Sequence, residues 1–201
     1  MVLGDTVGPV SRSVWTLMCV IAVLVPAVAA CDDPGQAPSH RLVVGAADNP
    51  MMRVVADIYA GALRRGGSDV ADSVVIGDDT RLLEKLSAAD VDLFGAFTRT
   101  LLTELAPTAT PVPAEDVFAE LNRSLPQGVS VGDQTLVVAG EPGQVLVPVF
   151  RSAALSKEQM KTVNKVAGEL TTADLEALAG KAGNGDEPRD LAVSWLTEHG
   201  M

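Results

Sequence analysis

The stretch that decides the fold is "HRLVVGAADNPMMRVVADIYAGALRR", His40 to Arg65. Its short apolar run, Leu42 to Val44, is closed by Gly45, a pattern that predicts a strand buried on both faces. Asn49 is a favoured N-cap and Pro50 suits the first helical position, so we expect a helix to follow at once. The apolar residues of this helix form one inward stripe at helical spacing: Met51, Met52, Val55, Ile58, Tyr59, Ala62 and Leu63.

The next two segments repeat this plan. "DSVVIGDD" predicts a strand at Val74 to Ile76 and a turn at Gly77, after which Asp78 or Asp79 caps a helix with its leucines inward. "DVDLFGAF", ending at Phe97, predicts a third strand. Strands that alternate with helices favour an α/β fold in which helices flank a parallel sheet. Right-handed crossovers would bring the strand-to-helix loops to one edge of that sheet.

The second half of the chain begins with a connector, "APTATPVPAED", Ala106 to Asp116. We expect a short helix at Ala114 to Asn122 and strands in "QTLVVAG" and "QVLVPVF". Because proline cannot donate to a sheet ladder, Pro148 predicts that the second of these strands lies at a sheet edge or bulge. Helix starts are expected at Ser156 with Gln159, Thr171 with Asp174, and Pro188.

The first thirty residues have the pattern of a bacterial lipoprotein signal. The apolar run from Val14 to Val25 is short for a membrane span, which needs about 20 residues. "VAAC" ends at Cys31, which would become the first mature residue and carry a diacylglycerol on the outer side of the membrane. An uncleaved anchor is the alternative. Residues 31–40 then form a flexible tether, and the folded domain runs from residue 41 to 201.

Composition argues against several classes of function. The chain has 26 acidic and 15 basic residues, a net charge of -11, so nucleic-acid binding is not expected. The only two histidines are His40, in the expected tether, and His199, near the carboxyl end. These positions do not allow a histidine-based triad or a multi-histidine metal site. Asp90 and Asp92 could bind a cation on one side of a strand, or they are solvated or capping acids. We therefore expect no enzyme, no cofactor and no metal.

The predicted loop edge is suited to ligand binding, because ligands lie beyond the carboxyl ends of parallel strands, at helix N-termini. Free N–H groups suit a carboxylate and aromatic faces suit a quaternary ammonium group, so a zwitterion would satisfy both. For the two phenylalanines the alternative is plain core. The candidate ligand-binding residues are Asp48, Asn49, Asp79, Thr80, Phe94, Phe97, Thr98, Arg99 and Thr100.

The order of these motifs resembles the substrate-binding proteins of glycine betaine, choline and related osmoprotectant ABC importers, which have a periplasmic-binding-protein fold of the second type. "GAADN", "GDDT" and "VDLFGAFTRT" fall where that family has its ligand-binding loops. The carboxyl end, "VPVFRSAALSKEQMKTVNKVAGELTTADLEAL" followed by "EPRDLAVSWLTEHGM", is similar to the family's closing helices. The resemblance implies a first lobe over residues 41–105, a reduced second lobe over 106–144, and a return segment with closing helices over 145–201.

Several positions depart from the family. Its two tyrosines are replaced by Phe94 and Phe97, its glutamate by Ala96 and a glycine by Arg99. These changes remove hydrogen bonds to a polar ligand, and Arg99 would repel a quaternary ammonium group. Arg99 and the helix start at Asn49 would instead favour an anionic group.

The resemblance implies a membrane-anchored, extracytoplasmic solute-binding-like lipoprotein, with an ABC transporter permease and a zwitterionic or quaternary-ammonium solute as partners. A ligand-free scaffold of the cell envelope is the alternative, because a binder with one reduced lobe cannot enclose its ligand as two lobes do. A small hydrolase would need a serine activated without histidine.

Overall fold

The computed structural model describes residues 40–107, 112–138, 140 and 142–201, so the signal segment and most of the expected tether lie outside it. Within the described residues, no helix is long and apolar enough to cross a membrane. The strands are β1 Val44–Ala46, β2 Val74–Val75, β3 Leu93–Phe97, β4 Val129–Val131 and β5 Leu146–Arg151. The helices are α1 Pro50–Arg65, α2 Asp79–Ser87, α3 Thr98–Leu105, α4 Val117–Ser124, α5 Lys157–Glu169, α6 Thr172–Gly183 and α7 Pro188–Glu198, with a 3-10 turn at Ala114–Asp116.

Three parallel strands form one side of the sheet, as the sequence predicts. The strand order is β2-β1-β3-β5-β4, with Gly45 of β1 opposite Val74 of β2, and Val44 of β1 opposite Leu93 of β3. The first strand begins two residues later than expected, because Leu42 makes only an isolated parallel bridge to Val70. Since all three strands run the same way, the loops that follow them meet at one edge, here called the carboxyl edge.

Helix α1 packs on this sheet through the predicted apolar stripe. Asn49 caps it by accepting a hydrogen bond from the Met52 amide, and Ile58 and Tyr59 have no exposed surface. Close packing depends on Gly95 in β3, where a Cβ atom would stand 2.6 Å from Val55 Cγ1. The absence of a side chain therefore lets the helix lie directly on the strand.

Strand β5 differs from the prediction in its place in the sheet. It runs antiparallel to β3 and lies between β3 and β4, so the sheet is mixed and the strand containing Pro148 is interior. The proline is tolerated because β4 ends at Val131, opposite Val149, and only the Gly132 amide reaches the Pro148 carbonyl, at 2.9 Å. In an antiparallel strand the N–H and C=O of one residue point to the same side, so an N–H at position 148 would face β4. Because β4 ends at Val131, proline costs no ladder hydrogen bond within that strand.

In its described residues, 134–138 and 140, the expected strand "QTLVVAG" is not formed. In this segment Leu136 and Val138 make only isolated bridges, to Thr171 and Val145 respectively. The outer strand is instead β4, which lies just before it and pairs with β5. The described part of the segment predicted to be a reduced second lobe thus adds β4 to the single sheet and places α4 against α3. The lobe boundaries themselves stay a prediction.

The carboxyl-terminal helices begin where the sequence predicts. Ser156 with Gln159 and Thr171 with Asp174 form complete capping boxes at α5 and α6. Helix α7 starts at Pro188 and buries the expected residues Leu191, Ala192, Trp195 and Leu196. These helices cover α1 on its outer side, so α1 becomes the central helix of the core.

Candidate functional site

Hydrogen bonds link neighbouring elements at the carboxyl edge. The Asp48 amide after β1 donates to the Gly77 carbonyl after β2 at 2.7 Å. Thr80, in the first turn of α2, donates through Oγ1 to Glu104 Oε2 of α3 at 2.8 Å. The first two loops are therefore in direct contact, and the start of α2 is bonded to the last turn of α3.

At the helix starts on this edge, some of the free backbone N–H groups already donate to acceptors of the protein itself. Asn49 Oδ1 accepts from the Met52 amide and Asp78 Oδ1 accepts from the Arg81 amide, each at 2.9 Å. At the start of α3 the Thr98 amide donates to the Val145 carbonyl, also at 2.9 Å. A ligand carboxylate would have to compete with these acceptors for the same positive ends of the helices.

The two phenylalanines do not form one aromatic wall. Both belong to β3, and residues three apart on a strand point to opposite faces of the sheet. Phe94 has no exposed surface and belongs to the core, while Phe97 is partly buried against it. The core interpretation is therefore confirmed for Phe94, and no ligand in this conformation could contact both rings.

The next three candidate residues bind the segment that leads into β5. Thr98 Oγ1 donates to the Gly143 carbonyl at 2.8 Å and accepts from the Val145 amide at 3.1 Å. Thr100 Oγ1 donates to Gln144 Oε1 at 3.3 Å. These threonines fasten residues 143–145 across the start of α3.

Arg99 secures the same region from the outside. Its Nε and Nη2 atoms donate to the Pro142 carbonyl at 3.1 and 2.8 Å, and its Nη1 donates to the Val112 carbonyl at 3.3 Å. The guanidinium thus connects α3 with the connector and with the turn before β5. The carbonyls occupy these donors but leave the guanidinium its positive charge, so attraction of an anionic group to Arg99 stays a prediction.

Negative charge gathers at the start of α2. Asp79 is partly buried there, and its burial, followed by the carboxylates of Glu104 and Asp78, raises its pKa to about 7. Asp48 is exposed and paired with Arg53. Because these carboxylates repel one another, this part of the edge favours a cation or a neutral group over an anion.

Two open grooves run along α2 beside this cluster. One, of about 570 Å³, is lined by Ile76, Asp78, Thr80, Arg81, Glu84 and Lys85. The other, of about 450 Å³, is lined mainly by apolar surface between α2 and α3 and includes Thr80, Glu104 and Leu105. Thr80 is the one candidate residue that lines both grooves, whereas neither groove is lined by Phe94, Phe97 or Arg99.

Asp90 and Asp92 take separate structural roles on the opposite edge of the sheet. Asp92 is buried and accepts a hydrogen bond from the Val43 amide at 2.9 Å, lies 2.8 Å from His40 Nε2, and forms an ion pair with Arg151. Asp90 is exposed and pairs with Lys85 at 2.9 Å. Within the described residues no group of three or more potential metal ligands is found.

Sequence reasoning missed the roles of His40 and Arg151. The spacing of Asp92 along β3 showed a carboxylate beside a strand, but its partners lie 52 and 59 positions away along the chain. A buried carboxylate nearly always needs a paired cation. The sequence did not show that Asp92 is buried, so it gave no reason to look for a cationic partner.

Comparison with solved structures places the fold among solute-binding proteins. A glycine betaine/carnitine/choline ABC transporter protein matches with a TM-score of 0.72 at 10% identity, covering 80% of this chain and 98% of that one. The apo form of YehZ from Escherichia coli matches with a TM-score of 0.66 at 10% identity, covering 80% of this chain and 99% of that one. No protein-family model matches the chain, and no curated protein matches it in sequence. At this identity the likeness shows the fold, which is a periplasmic-binding-protein fold consistent with a single lobe.

Proposed function

We propose that this chain is a solute-binding-like protein of the cell envelope, held at the membrane by a lipid on Cys31, that works with an ABC import system for quaternary-ammonium or zwitterionic solutes. The observation that carries the proposal is the likeness of its fold to a glycine betaine/carnitine/choline ABC transporter protein. The order of motifs along the carboxyl edge supports the same class of ligand, and the carboxylates at the start of α2 favour a cationic group there.

We further propose that the chain by itself captures such a solute only weakly. The two aromatic rings lie on opposite faces of β3, and a single cation-π contact contributes about 0.5 to 2 kcal/mol. Thr98 and Arg99 already bond the chain itself, so a ligand would have to replace those bonds. We expect glycine betaine or choline to bind no tighter than about 1 mM, near -4 kcal/mol.

Isothermal titration calorimetry of the purified full chain with glycine betaine and with choline tests this prediction. Absence of saturable heat below about 1 mM is the expected result. Phe97→Ala is the informative variant because Phe97 is the ring that keeps some exposed surface. Micromolar binding that disappears in Phe97→Ala would contradict weak capture and favour a solute-binding protein that delivers its ligand to an ABC importer.

A second candidate function is a ligand-free scaffold that contacts a transporter or another envelope protein. The bonds from Thr98, Arg99 and Thr100 to residues 142–145 and 112 favour it, since they close the start of α3 to a ligand. A thermal-shift screen against betaines, choline, carnitine and amino acids separates the two functions. A ligand present at 100 times its dissociation constant would stabilise the fold by about 2.7 kcal/mol, whereas a scaffold would show no such shift.

A further inference from the structure

Helix α5 carries a row of lysines on its outer face. Lys157, Lys161 and Lys165 follow one another at intervals of four residues and are all exposed. At about 100° per residue they cover about 80° of the helix circumference. We call these three residues the lysine stripe. The opposite face of α5 packs against the core through Val163, Val166 and Ala167.

The lysine stripe is unusual in the charge distribution of this protein. The chain has five lysines and a net charge of -11, so three of its five lysines stand on this one helix face. Within the described residues, none of the three forms a salt bridge. Lys165 Nζ contacts only a carbonyl, that of Gly200, at 3.4 Å. Glu158 and Glu169 border the stripe on one side, which confines the positive charge to a narrow band.

Helix α5 also begins at the end of the domain where the tether arrives. His40, the first described residue, lies beside Asp92, which pairs with Arg151 at the end of β5, five residues before the cap of α5. In the first turn of α5, Gln159 Nε2 donates a hydrogen bond to Ser68 Oγ at 3.1 Å. The next residue along, Asp69, accepts a hydrogen bond from the Leu42 amide at 2.9 Å. The start of the stripe and the start of the domain therefore share one edge of the sheet.

We propose that the lysine stripe lies on the anionic phospholipid headgroups of the membrane to which the chain is tethered, and so orients the domain. This proposal rests on the lipid anchor of the proposed function. Eight tether residues, 32–39, span at most about 28 Å, so the domain stays close to the bilayer. A lipid anchor and a basic patch reinforce each other in membrane binding. The chain as a whole has a net charge of -11, so an anionic membrane repels it on average, and the stripe offers a local band of positive charge that such a membrane attracts.

The test is lysine acetylation by a water-soluble reagent on the full chain in nanodiscs, read residue by residue by mass spectrometry. We expect Lys157, Lys161 and Lys165 to react about threefold more slowly in discs that contain phosphatidylglycerol than in discs of phosphatidylcholine alone. Lys181, an exposed lysine of α6 outside the stripe, serves as the internal control and should react equally in both discs. In 1 M salt, where the screening length is about 3 Å, the difference should vanish.

A charge-reversal variant makes the test specific to the stripe. Lys161→Glu should restore equal acetylation of Lys157 and Lys165 in the two kinds of disc. The matched control is Lys181→Glu, because Lys181 is an exposed helical lysine outside the stripe. Comparing discs within each variant cancels any effect of the new glutamate on the intrinsic reactivity of its neighbours.

Equal acetylation of the stripe in both kinds of disc would overturn the proposal. Protection that appears only when a transporter protein is added, whatever the lipid, would also overturn it and assign the stripe to a protein partner. Co-migration of the chain with the discs is recorded separately, for the unaltered protein and for Cys31→Ser. A chain that co-migrates without protection of the stripe refutes the orientation alone, whereas a chain that does not co-migrate refutes the anchor of the proposed function.

Discussion

Asp92 joins three separate parts of the chain through one buried carboxylate. It binds the Val43 amide at the start of the sheet, lies beside His40, and pairs with Arg151 of β5. Each partner would lose its compensating charge or acceptor if the carboxylate were removed. At the residue scale, this is the polar contact on which the opposite edge of the sheet most depends.

We therefore expect Asp92→Ala to lower the free energy of unfolding by about 3 to 5 kcal/mol, because it leaves Arg151 without its buried partner. Asp90→Ala is the matched control, since the Asp90–Lys85 pair is exposed and is expected to contribute at most about 1 kcal/mol. Urea denaturation followed by circular dichroism measures both changes. Equal small losses in the two variants would contradict the structural role of Asp92.

Asp79 gives the stability of the protein a pH dependence of known sign. Burial and the neighbouring carboxylates of Glu104 and Asp78 raise its pKa from 3.8 to about 7 in the folded state. Between these two values the folded state binds a proton that the unfolded state has released. Stability from this residue is therefore full below about pH 4 and is lost as the pH rises through about 7.

For Asp79→Asn we expect a gain of about 1 to 2 kcal/mol over the unaltered protein at pH 8, which disappears toward pH 4. The difference between the two urea-denaturation curves, measured at several pH values, isolates this residue from others that titrate. Asp133→Asn is the control for the loss of one negative charge, because Asp133 is exposed. A gain in Asp79→Asn that is the same at every pH would show that the carboxylate does not titrate in this range.

At the scale of elements, the start of α3 is closed by the segment that leads into β5. The hydroxyl of Thr98 both donates to Gly143 and accepts from Val145, and Thr98 is fully buried. Gly143 has a φ of +75° and would place a Cβ atom 2.5 Å from the Ala114 carbonyl oxygen, so this turn also packs against the connector. The closure is thus built from both side-chain bonding and backbone shape.

Replacing Thr98 by valine keeps the shape of the side chain but leaves the Gly143 carbonyl and the Val145 amide without their partner. We expect a loss of about 1 to 3 kcal/mol in the free energy of unfolding. Thr103→Val is the matched control on the same helix, because Thr103 is exposed and bonds only the Arg99 carbonyl. Its effect should stay within about 0.5 kcal/mol, as for other surface substitutions. If Thr98→Val were as mild as the control, the segment before β5 would be held by other contacts.

At the scale of the whole molecule, the fold and the proposed membrane attachment depend on different parts of the chain. The domain has the fold of solute-binding proteins, whereas attachment to the membrane depends on Cys31, outside the described residues. The lysine stripe would connect the two if the anchor holds the domain beside an anionic surface. Anchoring therefore has to be measured independently of the fold.

Cys31→Ser should abolish incorporation of radiolabelled palmitate in a bacterial host, because serine cannot form the thioether to diacylglycerol. Cys19→Ser is the matched control, since Cys19 lies inside the apolar run and would be removed with the signal. Its labelling should equal that of the unaltered protein. Equal labelling of Cys31→Ser and the unaltered protein would contradict lipid attachment at Cys31.

The sequence by itself determined the elements whose causes are local. The cap at Asn49, the capping boxes at Ser156 and Thr171 and the start of α7 at Pro188 all depend on residues within a few positions of one another. The parallel arrangement of β1, β2 and β3 followed as well, because a helix between two strands leaves little choice of direction. The gathering of the candidate loops at one edge is a consequence of that arrangement.

Only the tertiary structure decided the features that depend on distant parts of the chain. The place of β5 beside β3 is set by pairing between residues 49 to 57 positions apart, which no local pattern reports. The burial of Phe94, the bonds of Arg99 and the ion pair of Asp92 likewise require knowing which segments meet. The physical reason is that a side chain's role follows from its desolvation and its partners, and both are set by long-range packing rather than by neighbours in sequence.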